Sequence, residues 1–265
     1  MTKVSTISDA AIRIAVVASF ICMILIELKP GFRDFAMSGP LEYALLFPSL
    51  LTPAPYTLEI QSLVYGMMGA FVIYQLGKTP EAPGSLSASQ MNFLRLGFIF
   101  SSIFNVLWVI HFRGGNLPVS LIFLTLLFAV LLAMNSLFRT PRGHKKEKLF
   151  VKAPLAFSLG WVTVVIMAHV TILIAGMNPE IQANPQQSAM AFLVGGTLFS
   201  LSILFYYRNT AFGLVVLWTY GGILANHLSR EGLNGRYQDV MLLLVTCMVI
   251  LVVATVYSHL NKRLS

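Results

Sequence analysis

Uncharged apolar stretches of about twenty residues recur along this chain, separated by short polar or charged segments. An α-helix rises about 1.5 Å per residue, so a stretch of that length crosses the hydrocarbon layer of a bilayer. The pattern predicts eight membrane-spanning helices, at residues 10–28, 57–77, 91–112, 117–138, 153–176, 188–207, 211–228 and 238–260. The predicted fold is therefore an all-α, polytopic membrane helix bundle.

The composition supports the same class. Hydrophobic residues make up 57% of the 265 residues and charged residues 11%, whereas soluble domains carry about 25% charged residues. The predicted spans fill most of the chain and leave no room for a soluble domain of ordinary size. We therefore predict one membrane domain over residues 1–265.

The formal net charge is +8, and a third of the 18 basic residues lie in the fourteen residues 139–152, directly before the fifth predicted span. In a soluble protein such a charge would suggest nucleic acid as a partner. Here a topology signal and attraction to anionic lipid account for it, so we expect the lipid bilayer and not nucleic acid.

Short loops rich in Lys and Arg stay on the cytoplasmic side of a membrane. With eight spans and the amino terminus inside, thirteen basic residues fall on the cytoplasmic side and five on the other. The thirteen are Lys3, Arg13, Lys78, Arg95, Arg139, Arg142, Lys145, Lys146, Lys148, Lys152, Arg208, Lys262 and Arg263, and the five are Lys29, Arg33, Arg113, Arg230 and Arg236. This distribution predicts that both termini are cytoplasmic.

The first connection, residues 29–56, is long and apolar for a loop between membrane helices. It is too short to span and too apolar to be fully solvated, so we expect an interfacial or partly buried segment. Two interpretations stay open: the segment packs on the outer ends of the helices, or it covers a pocket that opens to that side.

Charged residues are absent from the middle of every predicted span, since Glu27, Glu59 and Arg95 lie near span ends. This argues against an ion-coupled pump, which usually needs carboxylates or a basic gate within the membrane. His111 and His227 also lie near span ends, where we expect them to be solvated. A passive carrier remains compatible with such a chain.

Polar and aromatic residues do occur deep in two spans. Asn105, Trp108 and Phe112 follow one another at steps of three and four in the third span, so they lie on one helix face. In the fifth span, Trp161, Val165 and His169 share a face for the same reason.

These two faces have two interpretations. In the first interpretation, the two faces enclose a flat aromatic ligand, with the indoles stacked on it and Asn105 or His169 bonded to its polar edge. In the second, the polar side chains bond neighbouring helices and the indoles fill the core. His169 in addition has the chemistry of an axial haem ligand. No catalytic motif, metal-spaced cluster or phosphate loop is present, so the sequence does not predict an enzyme.

Several motifs resemble those of the TspO/MBR family, the tryptophan-rich sensory proteins related to the translocator protein. The second span contains Pro53-Ala54-Pro55-Tyr56, Leu63-Val64-Tyr65 and Ile73-Tyr74-Gln75; the third contains Asn105, Trp108 and Phe112; the fifth runs from Ala153-Pro154 through Ser158-Leu159-Gly160-Trp161-Val162-Thr163 to Ala168; and the seventh contains Phe212-Gly213-Leu214-Val215-Val216-Leu217-Trp218 and Gly221-Gly222-Ile223. Gln61, Pro55, Val165 and His169 depart from the usual family residues.

The resemblance implies a TspO-like five-helix part over residues 1–177 and three additional helices over 178–265. It further implies a bacterial inner-membrane protein with a sensor-like, ligand-binding role. Its pocket would bind a porphyrin, haem or a sterol-like lipid beneath the first loop. The candidate ligand-binding residues are Tyr65, Asn105, Trp108, Phe112, Trp161, Val165 and His169.

Two other functions stay open. The first is that of a passive carrier of a lipid or small amphiphile. The second is that of a subunit that packs, through the last three helices, against copies of itself or against other membrane proteins. The second alternative is motivated by the small-residue pairs Gly195-Gly196 and Gly221-Gly222, which permit close approach of helices.

Overall fold

The structure, a computed structural model, describes residues 2–27, 50–77, 85–138, 145–177 and 183–264. Within these ranges the chain is helical, with short turns between the helices and no strand. The eight main helices are α1 (Thr2–Glu27), α2 (Ile60–Tyr74), α3 (Ala88–Arg113), α4 (Leu117–Ser136), α5 (Ala153–Met177), α6 (Pro185–Tyr207), α7 (Thr210–Leu228) and α8 (Gln238–Leu264). A 3₁₀ helix, Pro55–Glu59, leads into α2, and a helical turn at Lys145–Glu147 and a π-helical turn at Lys148–Lys152 lead into α5.

The predicted all-α membrane bundle is confirmed, because each of the eight predicted spans corresponds to a helix in order. Seven segments of the described chain are long and apolar enough to cross a membrane. The exception is α2, whose 15 residues rise only about 22 Å. With the preceding 3₁₀ helix, which adds about 10 Å, this segment is about as long as the hydrocarbon layer is thick, roughly 30 Å.

The chain divides into two compact units, and the division does not follow the predicted boundary at residue 177. The first unit contains residues 1–30 and 63–159, and the second contains residues 31–62 and 160–265. The fifth helix continues from one unit to the other, because the division falls between Leu159 and Gly160. The prediction of a single domain with a five-helix part stays a prediction.

In the first unit, α3 packs against both α1 and α4. The aromatic core of this unit is centred on Phe98 of α3, whose ring lies 5.3 Å from Phe71 of α2 and 6.2 Å from Phe20 of α1, between centroids. Gly114 ends α3 and Gly115 takes a left-handed backbone conformation with φ 73°. α3 and α4 are therefore neighbours joined by a tight turn.

In the second unit, α8 packs against α6 and α7, and α7 also contacts α6 and the 3₁₀ helix. Tyr220 of α7 lies 3.2 Å from the Thr197 hydroxyl of α6, between oxygen atoms. A Cβ at Gly196 would overlap Met167, and one at Gly213 would overlap Thr255. Small residues therefore allow the helices of this unit to approach closely.

Three charged side chains in the described part of the chain are buried, which the absence of charge from the middle of the spans did not predict. Glu27 is 6% exposed, Arg95 2% and Glu147 0%. All three lie near helix ends, so the prediction of an uncharged span interior is not in conflict with them. Their burial could not be inferred from position in a span, because it depends on which other segments cover the helix end.

Candidate functional site

The predicted polar and aromatic face of α3 is present in the first unit. The rings of Trp108 and Phe112 lie 6.1 Å apart between centroids and are tilted by 37°. Phe112 and Asn105 are buried, and Trp108 is half-buried. Because these residues are three and four positions apart, one turn of helix presents each to the next.

Two polar atoms on this face have no hydrogen-bond partner within the described part of the chain. They are Oδ1 of Asn105, an acceptor, and Nε1 of Trp108, a donor, and both are inaccessible to solvent. A buried polar group without a partner costs about 1–3 kcal/mol. An unpaired donor and an unpaired acceptor one turn apart are therefore what a site for a polar ligand group would require.

Asn135 of α4 provides a comparison within the same unit. Its Nδ2 group donates to the carbonyl oxygens of Leu131, at 2.9 Å, and Leu155, at 3.1 Å. This amide therefore forms a hydrogen bond between two helices, as polar residues in membrane helices commonly do. The side-chain oxygen of Asn105, in contrast, has no hydrogen-bond partner among the described residues.

Tyr65, the predicted site residue on α2, bonds to a residue that the sequence did not single out. The Tyr65 hydroxyl donates to Oε1 of Glu27 at 2.5 Å, at the end of α1. Arg113, at the end of α3, donates to the carbonyl oxygen of Ile26 at 3.1 Å and interacts electrostatically with Glu27. A carboxylate at a span end was the only sequence signal for this cluster.

The cluster lies at the same end of α3 as the aromatic face. Arg113 follows Trp108 by five residues, which correspond to about 7.5 Å along the helix axis. In the first unit, this cluster therefore lies near the carboxyl-terminal end of α3, beyond Trp108 along the helix axis.

The three predicted site residues of α5 belong to the second unit. Trp161 is 9% exposed and His169 3%, and Val165 is half-buried. His169 already has an interaction partner in the structure. A joint pocket of the α3 and α5 faces, and the role of His169 as an axial haem ligand, stay predictions.

A second polar cluster in the first unit was missed by the sequence analysis. Arg95 of α3 donates to Asp9 of α1 at 2.7 Å, to Asn92 at 2.7 Å, and to the side chain and carbonyl of Gln75 at 3.1 and 2.9 Å. Arg13 donates to the same Asp9 carboxylate and to the carbonyls of residues 75–77, which directly follow α2. These bonds link α1, α3 and the turn that follows α2, so the cluster has a structural role.

In the second unit, segment 50–57 at the end of the first connection is bonded along α7. Gly222 O accepts from the Ala54 amide at 2.9 Å, and the Trp218 indole donates to Thr57 O at 2.9 Å. Asn226 donates to Thr52 O at 3.0 Å. This part of the connection therefore packs on a helix, while residues 28–49, on which the interpretation as a cover depends, lie outside the described residues.

His227 completes this series of bonds, and the expectation that it is solvated was wrong. Its ring is 0% exposed, and Nε2 donates to the carbonyl oxygen of Leu50 at 2.7 Å. Nε2 must carry the proton because a carbonyl oxygen can only accept. His111, expected to be solvated for the same reason, is half-buried and stacks on Phe123 at 5.3 Å between centroids.

The glycine pairs that motivated the partner hypothesis are partly used within the chain. A Cβ at Gly222 would overlap Thr57, and one at Gly196 would overlap Met167. Among the described residues outside its own helix backbone, Gly195 has no atom within 4 Å of an added Cβ, and the nearest such atom at Gly221 belongs to Met248, at 3.9 Å. A partner on α6 to α8 stays a prediction, for which Gly195 and Gly221 are the available glycines.

No group of three His, Cys, Asp or Glu side chains that could hold a metal ion occurs in the described ranges. Asn105 and Trp108 also lack the imidazole, thiolate, thioether or phenolate groups that hold haem iron. Whether a ligand binds this face is not decided by these residues alone, and the site stays a prediction.

Comparison with known proteins gave one result. A family model described as "TSPO-like protein" matches residues 13–257, which is most of the chain. No curated protein and no solved structure matches.

Proposed function

Because the chain belongs to the TSPO-like protein family, we propose that it is a membrane protein that binds a hydrophobic ligand with an aromatic or flat ring system along the α3 face. The observation that carries this proposal is the pair of unpaired atoms, Asn105 Oδ1 and Trp108 Nε1. A bound ligand would supply the missing donor and acceptor, and Trp108 and Phe112 would contact its ring.

The chemistry of the face defines the ligand class. One edge of the ligand carries a donor and an acceptor within a few ångströms of each other, such as a hydroxyl, a protonated carboxyl or a pyrrole N–H beside a carbonyl. The remainder is apolar, because the other residues along the face are aromatic. Metal-free tetrapyrroles and sterol-like lipids both meet this description. Haem fits less well, since the face offers no iron ligand.

We expect the contribution of Asn105 to be separable from its contribution to folding. Asn105→Leu removes the unpaired oxygen and keeps the volume, so the ligand loses a bond while the empty protein loses none through that atom. Asn135→Leu removes an amide that bonds two carbonyls and lies outside the proposed site. The two variants therefore change binding and stability in opposite ways.

The test is a titration of the purified protein in mild detergent with protoporphyrin IX and, separately, with a fluorescent sterol, following the ligand's own absorption or emission. We expect saturable binding of at least one probe, weakened about tenfold in Asn105→Leu by the loss of one buried hydrogen bond. Binding by Asn135→Leu should equal that of the wild type whenever the variant is folded. If Asn105→Leu binds both probes as the wild type does, the α3 face is not the site.

Trp108→Phe provides the second measurement. It keeps an aromatic ring beside Phe112 and removes the Nε1 donor. The affinity for a ligand that bonds Nε1 should therefore fall, whereas the affinity for a ligand that only stacks on the ring should not. Equal binding by Trp108→Phe together with weaker binding by Asn105→Leu would restrict the polar contact to the amide.

A further inference from the structure

Residues 145–152, here called the basic turn, connect to the start of α5 in the first unit. Lys145, Lys146 and Lys148 are exposed, and beside them Leu149 leaves 59% of its surface uncovered. Three cations and an apolar side chain thus share the surface of a segment of eight residues. This combination is typical of segments that lie at a membrane surface.

The turn is held by its other residues. The Leu86 amide donates to Glu147 Oε1 at 3.0 Å, and Glu147 is 0% exposed. Phe150 stacks on Tyr74 of α2 with 5.9 Å between ring centroids. Contacts of Glu147 and Phe150 therefore hold the turn in place, and its one carboxylate is buried and does not lie on the surface that carries the lysines.

Lys152 differs from the other three lysines of the turn. Its Nζ donates to the carbonyl oxygen of Phe138 at 3.2 Å and lies 5.8 Å from the centre of the Phe138 ring. This cation binds the end of the preceding helical segment, so it does not add to the exposed group. Lys152 thus has a structural role, whereas the other three lysines of the turn are exposed.

The length of the segment places the three lysines at the level of lipid headgroups. The apolar segment Lys145–Ile174 has 30 residues, which as a helix rise about 45 Å. This equals the thickness of a bilayer including its headgroup regions, whereas the hydrocarbon layer is about 30 Å. The charged end cannot enter hydrocarbon without large cost, so it lies among the headgroups.

We propose that the basic turn binds the headgroups of anionic phospholipids through Lys145, Lys146 and Lys148, with Leu149 inserted among the adjoining acyl chains. Lysines at the surface of an anionic membrane attract it individually, and the effect declines with ionic strength. Because Glu147 is buried, the turn's own carboxylate does not lie on the surface that carries the three lysines. The preference for anionic lipid is separate from ligand binding on α3.

The experiment compares the lipids bound by the full-length protein in nanodiscs with equal amounts of phosphatidylglycerol and phosphatidylcholine, measured by native mass spectrometry. We expect the wild type to retain phosphatidylglycerol preferentially. In the triple variant Lys145→Gln, Lys146→Gln, Lys148→Gln, the ratio of the two bound lipids should fall roughly tenfold or more, because each lysine contributes a fewfold preference. Raising the salt concentration should lower the wild-type ratio in the same direction.

A matched control removes three exposed cations elsewhere in the described chain: Arg208→Gln, Arg230→Gln and Arg236→Gln. This control has the same net charge as the triple lysine variant and should keep the wild-type lipid ratio. An equal fall in both triple variants would show an effect of net charge and overturn the proposal. So would a wild type with no preference for phosphatidylglycerol.

Single substitutions keep the test decisive if the triple variant does not fold. Lys146→Gln alone should lower the ratio a fewfold, whereas Glu147→Gln, which keeps an oxygen acceptor for the Leu86 amide, should leave it unchanged or raise it slightly. A Glu147→Gln ratio below that of the wild type would contradict the arrangement described here.

Discussion

Arg95 of α3 donates a hydrogen bond from Nη1 to Oδ1 of Asp9 of α1 over 2.7 Å, and only 2% of the Arg95 side chain is exposed, compared with 37% for Asp9. The basic partner is therefore buried while the acidic partner is partly solvated. Gln75, which directly follows α2, and Asn92 of α3 supply the remaining acceptors for Arg95. One guanidinium thus joins three helices of the first unit.

We predict that Arg95→Ala lowers the free energy of unfolding by about 3 kcal/mol, because it leaves buried acceptors without a donor. Arg95→Lys should recover only part of the loss, since a single ammonium group cannot reproduce the geometry of the guanidinium fork. The measurement is denaturation in mixed micelles followed by circular dichroism. Arg208→Ala, at an exposed position of the second unit, serves as the control and should be near neutral.

The two asparagines of the first unit should respond to substitution in opposite directions. Asn135→Leu removes two hydrogen bonds and should destabilise the protein by about 1–3 kcal/mol. Asn105→Leu removes an unpaired buried oxygen and should leave stability unchanged or increase it by up to about 1 kcal/mol. Thermal unfolding of both variants without added ligand measures this difference, and a loss in Asn105→Leu as large as that in Asn135→Leu would indicate a structural role for Asn105.

The adjacent glycines of α7 should differ in their tolerance of a methyl group. Gly222→Ala places a Cβ against Thr57 and should cost about 1–3 kcal/mol, because that part of segment 50–57 must move. At Gly221 the nearest atom to an added Cβ is Met248 Cε at 3.9 Å, an ordinary contact. Gly221→Ala should therefore be neutral or stabilising by about 0.5–1 kcal/mol, owing to the higher helix propensity of alanine. The same denaturation assay compares them.

The bond between His227 and Leu50 should protect segment 50–57 from local opening. His227→Ala removes the donor to the Leu50 carbonyl, so the amide of Ala54, which bonds Gly222, should exchange its hydrogen roughly fivefold faster. Hydrogen exchange followed by mass spectrometry measures this rate. His111→Ala, a substitution on a stacked ring of the other unit, is the control. An unchanged exchange rate in His227→Ala would show that the other three bonds hold the segment without it.

The positions of the helices were determined by the sequence, because a membrane span must satisfy its backbone internally and present about twenty apolar residues to lipid. Helical periodicity likewise determined that Asn105, Trp108 and Phe112 share a face. These are local properties, and each depends on residues within one or two turns of helix.

The tertiary structure alone decided which groups at the helix ends are buried and what they bond. Glu27, Arg95, Glu147 and His227 all lie near span ends, where a hydropathy pattern predicts contact with water. Each is covered because residues that are distant in the sequence pack against it: Tyr65 bonds Glu27, Leu86 bonds Glu147, and Leu50 bonds His227 from 177 positions away. Burial depends on these long-range contacts, whereas the apolar pattern reports only the preference of each segment for lipid over water.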